Sequence, residues 1–265
     1  MANASLSPTS CKYKKSLAAV IIDTYQEQVF LKEAILRCRA VDRIGKIYFF
    51  GSSPLNAGES FYKINRIKSI NEYNSILLYT VPFFVEEDYI CVFQWDGYPL
   101  NQTRFAEAFL DFDYIGAPWP DLRGGKQIVG NGGFSIRSNR MMQFISHNRI
   151  ELQHKTTVLR QKTDPEDVYI CVSLHEILIQ NGFTFAPVEL ASQFSFEAPP
   201  AQDTFGFHGA FNLPFLYPED YLLKHVDELL IRLSNEFIRG LVVRNSAFIN
   251  YHRLSNRLAE SFDSR

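Results

Sequence analysis

Two apolar runs separated by an amphipathic segment govern what this chain can become. Leu17-Ala18-Ala19-Val20-Ile21-Ile22 closes at Asp23-Thr24, and Lys46-Ile47-Tyr48-Phe49-Phe50 closes at Gly51-Ser52-Ser53-Pro54. Each has the composition of a strand buried on both faces. Between them, Val29, Phe30, Ala34, Ile35 and Cys38 share one face of a helix expected over about 26–41. Two strands joined by a helix run parallel, with a right-handed crossover. A third short strand is expected at 66–70 and a helix over 74–84, where Pro82 favours an early end. Tyr89-Ile90-Cys91-Val92-Phe93 is a further buried strand. The expected fold is α/β: a Rossmann-like, mostly parallel central sheet flanked by helices.

Further on, a short helix is expected over 103–109, a strand at 113–116 leading into Pro118-Trp119-Pro120, and a loop at 123–126. Strand 134–138 and helix 139–148 follow. Residues 151–163 read as a polar surface loop, 168–181 as one helix, 183–187 as a strand and 191–203 as loop. From Pro218 the pattern is helical, with Leu222, Val226, Leu229, Leu230 and Leu233 on one stripe. The expected organisation is a loose leader at 1–14, one domain at 15–217 and a helical C-terminal extension at 218–265.

Hydrophobic residues make up 46% and charged residues 21% of the 265, enough apolar material for one large core. A formal net charge of −2 provides no basic field for nucleic acid. The four cysteines form no CxxC pair, and Cys91 and Cys171 lie within apolar runs, as buried thiols of a reducing compartment do. No apolar run approaches the roughly 18 residues of a membrane span, and residues 1–10 lack the apolar centre of a signal peptide. A cytoplasmic protein is expected, and this is compatible with peripheral attachment at the inner face of the membrane. There is no GxGxxG and no GxxxxGK[ST], so the phosphate devices of the dinucleotide fold and the P-loop are missing.

In an open α/β sheet, ligands gather at the carboxyl ends of the strands. Asp96 stands there, after Gln94-Trp95 and before Gly97-Tyr98-Pro99, either as a ligand-facing carboxylate or as a turn aspartate. Asp23, Thr24 and Tyr25 would face the same edge. Gly130-Asn131-Gly132-Gly133 offers a backbone able to take φ > 0 and to approach a ligand closely, beyond what a tight loop needs. Asp164-Pro165-Glu166-Asp167 opens a helix, with Asp164 as cap and Pro165 at the first position. Acids there complement the helix dipole, and the one left over can act as a base. His208, between Phe207 and Gly209, is either a satisfied histidine in an aromatic pocket or a metal ligand.

Taken together, Phe93-Gln94-Trp95-Asp96, Asp113-Tyr114-Ile115-Gly116-Ala117-Pro118-Trp119, Gly130-Asn131-Gly132-Gly133-Phe134-Ser135-Ile136-Arg137 and Glu166-Asp167-Val168-Tyr169 stand in an order that resembles the bacterial DUF5672 family, over about 15–212. That family looks like GT-A-fold glycosyltransferases. The resemblance implies an inverting glycosyltransferase that moves a sugar from a nucleotide-sugar donor to a glycan, lipid-linked glycan or polysaccharide acceptor, as in lipopolysaccharide or capsule synthesis. It implies Asp167 as base, with Glu166 as second choice. The donor nucleotide would lie against Asp23, Thr24, Tyr25, Ser52 or Ser53, Gln94, Trp95 and Asp96. The sugar or acceptor would lie against Trp119, Gly130, Asn131, Gly132, Gly133 and Arg137.

GT-A enzymes carry an Asp-X-Asp motif that holds a divalent cation on the diphosphate. Here the first of its carboxylates is replaced by Gln94, so Asp96 and His208 are the expected ligands for Mn²⁺ or Mg²⁺, with Arg137, Lys126 or Arg123 as the alternative counter-charges. A non-catalytic glycan- or nucleotide-binding module on the same fold, and a metal-dependent hydrolase using Asp96, Asp167 and His208, are the competing readings.

Overall fold

In the computed structural model, the structure describes residues 14–25, 28–119, 128–156, 165–197 and 203–232. Residues 1–13 of the leader expected at 1–14, the 123–126 loop with Arg123 and Lys126, the Asp164 cap and the extension beyond Arg232 lie outside the described residues.

The strands are β1 (Leu17–Asp23), β2 (Lys46–Gly51), β3 (Ser60–Lys63), β4 (Tyr89–Val92), β5 (Tyr114–Gly116), β6 (Pro118–Trp119), β7 (Ile128–Val129), β8 (Ser135–Ser138), β9 (Ser195–Phe196) and β10 (Gly206–Phe207). Six form the central sheet, in the order β3-β2-β1-β4-β8-β5. β1 pairs in parallel with β2 and β4, and β2 with β3, whereas β8 is antiparallel to both neighbours. The mostly parallel α/β sheet flanked by helices is therefore present. Every residue of β1 and β4 is buried, as strands covered on both faces must be.

The main helices are α1 (Val29–Arg39), α2 (Ile70–Tyr79), α3 (Asn139–His147), α4 (Arg149–Thr156), α5 (Glu166–Val168), α6 (His175–Gln180), α7 (Val188–Phe194), α8 (Leu213–Leu216), α9 (Glu219–Lys224) and α10 (Val226–Arg232). α1 buries Phe30, Leu31, Ala34, Ile35 and Cys38, close to the apolar face in the sequence. None of the helices among the described residues is long and apolar enough to cross a membrane.

Several expected elements take other forms. Residues 66–70 are not a strand: Ser69 accepts the Glu72 N–H as N-cap, Glu72 accepts the Lys68 N–H one residue earlier, and the two bonds start α2. The third strand is β3 instead, a half-exposed edge whose Ser60-Phe61-Tyr62-Lys63 shows no continuous apolar run. Residues 102–110 form two 3₁₀ turns. The polar stretch expected as loop begins within α4, and the 191–203 loop begins within α7.

The 168–181 helix is interrupted by a π-turn at Tyr169–Ser173, closed by the Leu174 N–H on the Tyr169 carbonyl. Residues 183–187 make only an isolated bridge, Phe185 opposite Tyr114. There Thr184 donates its N–H to Asp113 at 2.9 Å, and Asp113 is also held by Ser138 and Arg140.

Beside β8 the core is aromatic. Phe134 stacks on Phe194 with centroids 4.9 Å apart, and Phe205 packs against both. Phe134 immediately precedes β8 and anchors the loop ahead of it. Phe134→Ala should cost about 3–5 kcal/mol in urea unfolding, the usual cost of emptying a buried phenyl site.

Candidate active site

Chain direction assembles the site. β1 and β4 are parallel with Val20 opposite Val92, so Asp23 and the 93–96 segment emerge at one edge. β8 is reversed, with Ser135 opposite both Val92 and Gly116. Its entry turn, 130–133, therefore arrives at the same edge. This edge borders a cleft of about 620 Å³ whose walls include Asp23, Thr24, Tyr25, Tyr73, Gln94, Trp95, Gly133, Glu166, Asp167, Glu197 and His208. Ser52, Asp96, Trp119, Gly130, Asn131, Gly132 and Arg137 are outside that lining.

At the β1 edge, Asp23 is committed to the protein. Its Oδ1 accepts the Tyr25 N–H at 2.8 Å and its Oδ2 accepts from Arg232 Nη1 at 2.7 Å. Burial raises its pKa, and the Arg232 charge offsets part of that rise. Thr24 Oγ1 accepts the Ile67 N–H, and Ser52 donates to the Thr24 carbonyl. Ser52 thus ties the end of β2 to this turn.

The Gln94-Trp95-Asp96 segment is built around His208. Gln94 donates from Nε2 to the Tyr73 hydroxyl at 3.0 Å, and its Oε1 lies 3.2 Å from His208 Nε2. On the other side of the ring, His208 Nδ1 lies 3.5 Å from Glu197 Oε1 and 3.0 Å from the Asn131 amide. Burial opposes charge on His208. The hydrogen bond to Glu197 and the charges of Asp96, Glu197 and Asp167 outweigh it and push the pKa up to about 9. Burial likewise opposes ionisation of Glu197, but the bonds from His208 and Asn131 lower its pKa.

These contacts engage the groups expected to hold a metal. Protein groups lie at both ring nitrogens of His208, Gln94 Oε1 at Nε2 and the Asn131 amide and Glu197 at Nδ1. The Asp96 carboxylate is buried; burial raises its pKa, the nearby His208 charge opposes that rise, its Oδ1 has no hydrogen-bond partner among the described residues, and its main-chain carbonyl accepts the Gly209 N–H. It secures the turn that carries His208. Among the described residues, no group of three or more His, Cys, Asp or Glu is arranged to hold a metal. His208, engaged at both ring nitrogens, is not placed as a ligand for Mn²⁺ or Mg²⁺, whereas Asp96 Oδ1 is a buried acceptor with no protein partner among the described residues.

The 130–133 turn also differs from its expected use. Its left-handed residue is Asn131, at φ 57°, and none of its glycines has positive φ. The glycines are needed for close approach to protein groups. A Cβ on Gly130 would collide with the Trp119 ring, one on Gly132 with Glu166, and one on Gly133 with His208. Trp119 accordingly packs on the turn. Arg137 is fully buried behind it, donating to Glu166 Oε1 at 2.7 Å and to the Gly132 carbonyl at 3.3 Å, so it does not reach the cleft.

Glu166 and Asp167 divide at the start of α5. Glu166 is 4% exposed and paired with Arg137. Asp167 lines the cleft, its Oδ2 accepting the Gly132 N–H at 2.7 Å and its Oδ1 the Val168 N–H at 2.8 Å. Burial and the charge of Glu166 raise its pKa to about 6, against the pull of those two N–H groups and Arg137.

The family model described as "Protein of unknown function (DUF5672)" matches residues 58–208. The chain belongs to the DUF5672 family. A comparison with curated proteins gives no match. Among solved structures, the chain is similar to the apo-form glycosyltransferase GlyE of Streptococcus pneumoniae TIGR4, with TM-score 0.44 and 13% identity over 73% of this chain and 54% of GlyE. It thus spans about half of GlyE. It is also similar to the mannosyltransferase PcManGT of Pyrobaculum calidifontis in complex with GDP-Man and Mn2+, with TM-score 0.42 and 9% identity over 96% of this chain and 76% of that one. A CMP:2-keto-3-deoxy-manno-octonic acid synthetase complexed with CTP gives TM-score 0.40 and 13% identity over 71% and 93%.

In this DUF5672 protein, four site residues escape sequence reasoning. Glu197 sits in a stretch that reads as loop, and Tyr73 in a helix with no motif. Arg232 and Glu228 lie in the C-terminal extension, where only the apolar stripe is visible. None carries a local signal, because each acquires its role from a partner well outside its own element, 11 residues away for Glu197 and 21 or more for the others.

The raised pKa of His208 has a consequence for stability. A group whose pKa is higher in the folded than in the unfolded chain stabilises the fold below the unfolded value and loses that contribution as pH rises through the folded one. The thermal midpoint should therefore fall between about pH 6.5 and about pH 9. In His208→Gln that decline should be absent, as read by calorimetry across this range.

Proposed function

We propose that the protein is an inverting glycosyltransferase acting on a nucleotide-sugar donor and a hydroxyl of a glycan or polysaccharide acceptor. The observation that carries this reading is the Asp167 carboxylate, aimed by two backbone N–H groups on a cleft that also presents the His208 side chain. A base with pKa near the working pH is the best compromise between availability and strength. Asp167, at about 6, meets that condition.

In the proposed step, Asp167 takes the proton of the acceptor hydroxyl. The acceptor oxygen attacks the anomeric carbon from the face opposite the diphosphate. The bond from the anomeric carbon to the diphosphate oxygen breaks, and the diphosphate leaves with the electron pair. The His208 cation, fixed between Gln94 and Glu197, offsets the negative charge that develops there. No step is routed through a metal. The hydrolase reading is weakened by the same geometry, because Asp96 is turned into the His208 turn and Glu166 is tied to Arg137. Peripheral docking at a membrane remains part of the proposal only for a lipid-linked acceptor.

Incubation with a panel of sugar nucleotides, with and without Mn²⁺, should reveal donor turnover that does not require the cation. Binding without turnover of any donor would favour the non-catalytic module. Asp167→Asn should lower transfer by roughly 10²–10⁴, the usual worth of a general base, with donor affinity unchanged. One backbone N–H would then face an amide, so a loss of about 1–2 kcal/mol in stability is also expected. In the unaltered enzyme, kcat/KM should decline below about pH 6 as Asp167 becomes protonated. Full activity in Asp167→Asn would exclude Asp167 as the base.

A further inference from the structure

The C-terminal helix α10 reaches the first strand-to-helix turn through two charged side chains. Glu228 places its carboxylate on the start of α1, accepting the Val29 N–H at 2.9 Å and the Phe30 N–H at 3.4 Å. α1 has no side-chain cap of its own and no acid in its first turn, so Glu228 supplies what its local sequence lacks. Arg232, whose side chain is fully buried, donates to Glu228 at 2.9 Å and to Asp23 at 2.7 Å. Its guanidinium carbon lies 5.0 Å from the ring centroids of both Tyr25 and Trp95. Asp23, Tyr25 and Trp95 all line the cleft.

We infer that Arg232 is a positioning residue of the nucleotide subsite, holding Tyr25 and Trp95 so that the base of a nucleoside diphosphate stacks on the open side of Tyr25. This rests on the donor-site reading above. The guanidinium covers one side of the Tyr25 ring, while the residue keeps 38% of its surface exposed. An aromatic ring held on one side by a cation and open on the other is a stacking platform for a planar base. Asp23 does not contact the base in this arrangement. Its two oxygens tie Arg232 to the Tyr25 backbone and so set the ring's position. Lysine would preserve the charge opposite Asp23 but not the flat group between two rings.

Calorimetry with UDP, GDP and CMP on the full chain tests this with Arg232→Ala, Arg232→Lys and Glu228→Gln, alongside acrylamide quenching of Trp95 emission in a Trp119→Phe background. Arg232→Ala should weaken the best nucleotide by about tenfold and open Trp95 to the quencher. Arg232→Lys should recover the melting temperature and leave affinity between the two. If Arg232→Ala fails to fold, Arg232→Lys and Glu228→Gln decide. Variants that bind as well as the unaltered protein, or more tightly, while melting earlier would overturn the inference and leave α10 a purely structural strap. Absence of any nucleotide binding by the unaltered protein would overturn the donor-site reading, and the inference with it.

Discussion

The buried ion pair between Arg137 and Glu166 is the interaction on which the candidate site depends. Arg137 is fully buried in β8, and Glu166 arrives from a distant part of the chain to meet it. Burial alone would suppress the Arg137 charge. The nearby Tyr114, the charge and hydrogen bond of Glu166, and Tyr73 together raise its pKa instead. Removing one partner of such a pair typically costs about 3–5 kcal/mol, because the other charge is left without compensation. Its structural effect is specific. It fixes the start of α5 against the 130–133 turn, and Asp167 can then accept the Gly132 N–H.

From that clamp the remaining site follows by contact. The turn presses Gly133 against His208, so closely that only glycine fits. His208 reaches Gln94 on one side and Glu197 on the other, linking the end of β4 to the β9 segment. The cleft consequently mixes acids and a cation at short range, with desolvation and charge opposing one another at each group. Asp167 is raised toward neutrality because burial and Glu166 prevail, whereas Glu197 is lowered because His208 prevails.

The strands and their edge were legible because burial on both faces leaves a plain record: β1, β2 and β4 read as continuous apolar runs. β3 was not, since a half-exposed edge strand needs no such run. The start of α2 was legible in principle, through Ser69 and Glu72 at capping-box spacing, but Arg66-Ile67-Lys68-Ser69-Ile70 also alternates as a strand would. The surplus acid at Asp167 and the close-packed glycines of 130–133 were visible as motifs. Their partners were not.

The sequence by itself determined the α/β class, the strand edge at which Asp23, Gln94 and Asp167 gather, and the family to which the chain belongs. Those properties reside in local periodicity, turn residues and short motifs. Only the tertiary structure decided what each polar group does there. Arg137 turned inward to Glu166, Asp96 turned into the His208 turn, and Asp23 was claimed by Arg232. The reason is physical: a buried charge takes its role from whichever partner the fold delivers to it, and those partners lie 29, 114 and 209 residues away for Arg137–Glu166, Gln94–His208 and Asp23–Arg232.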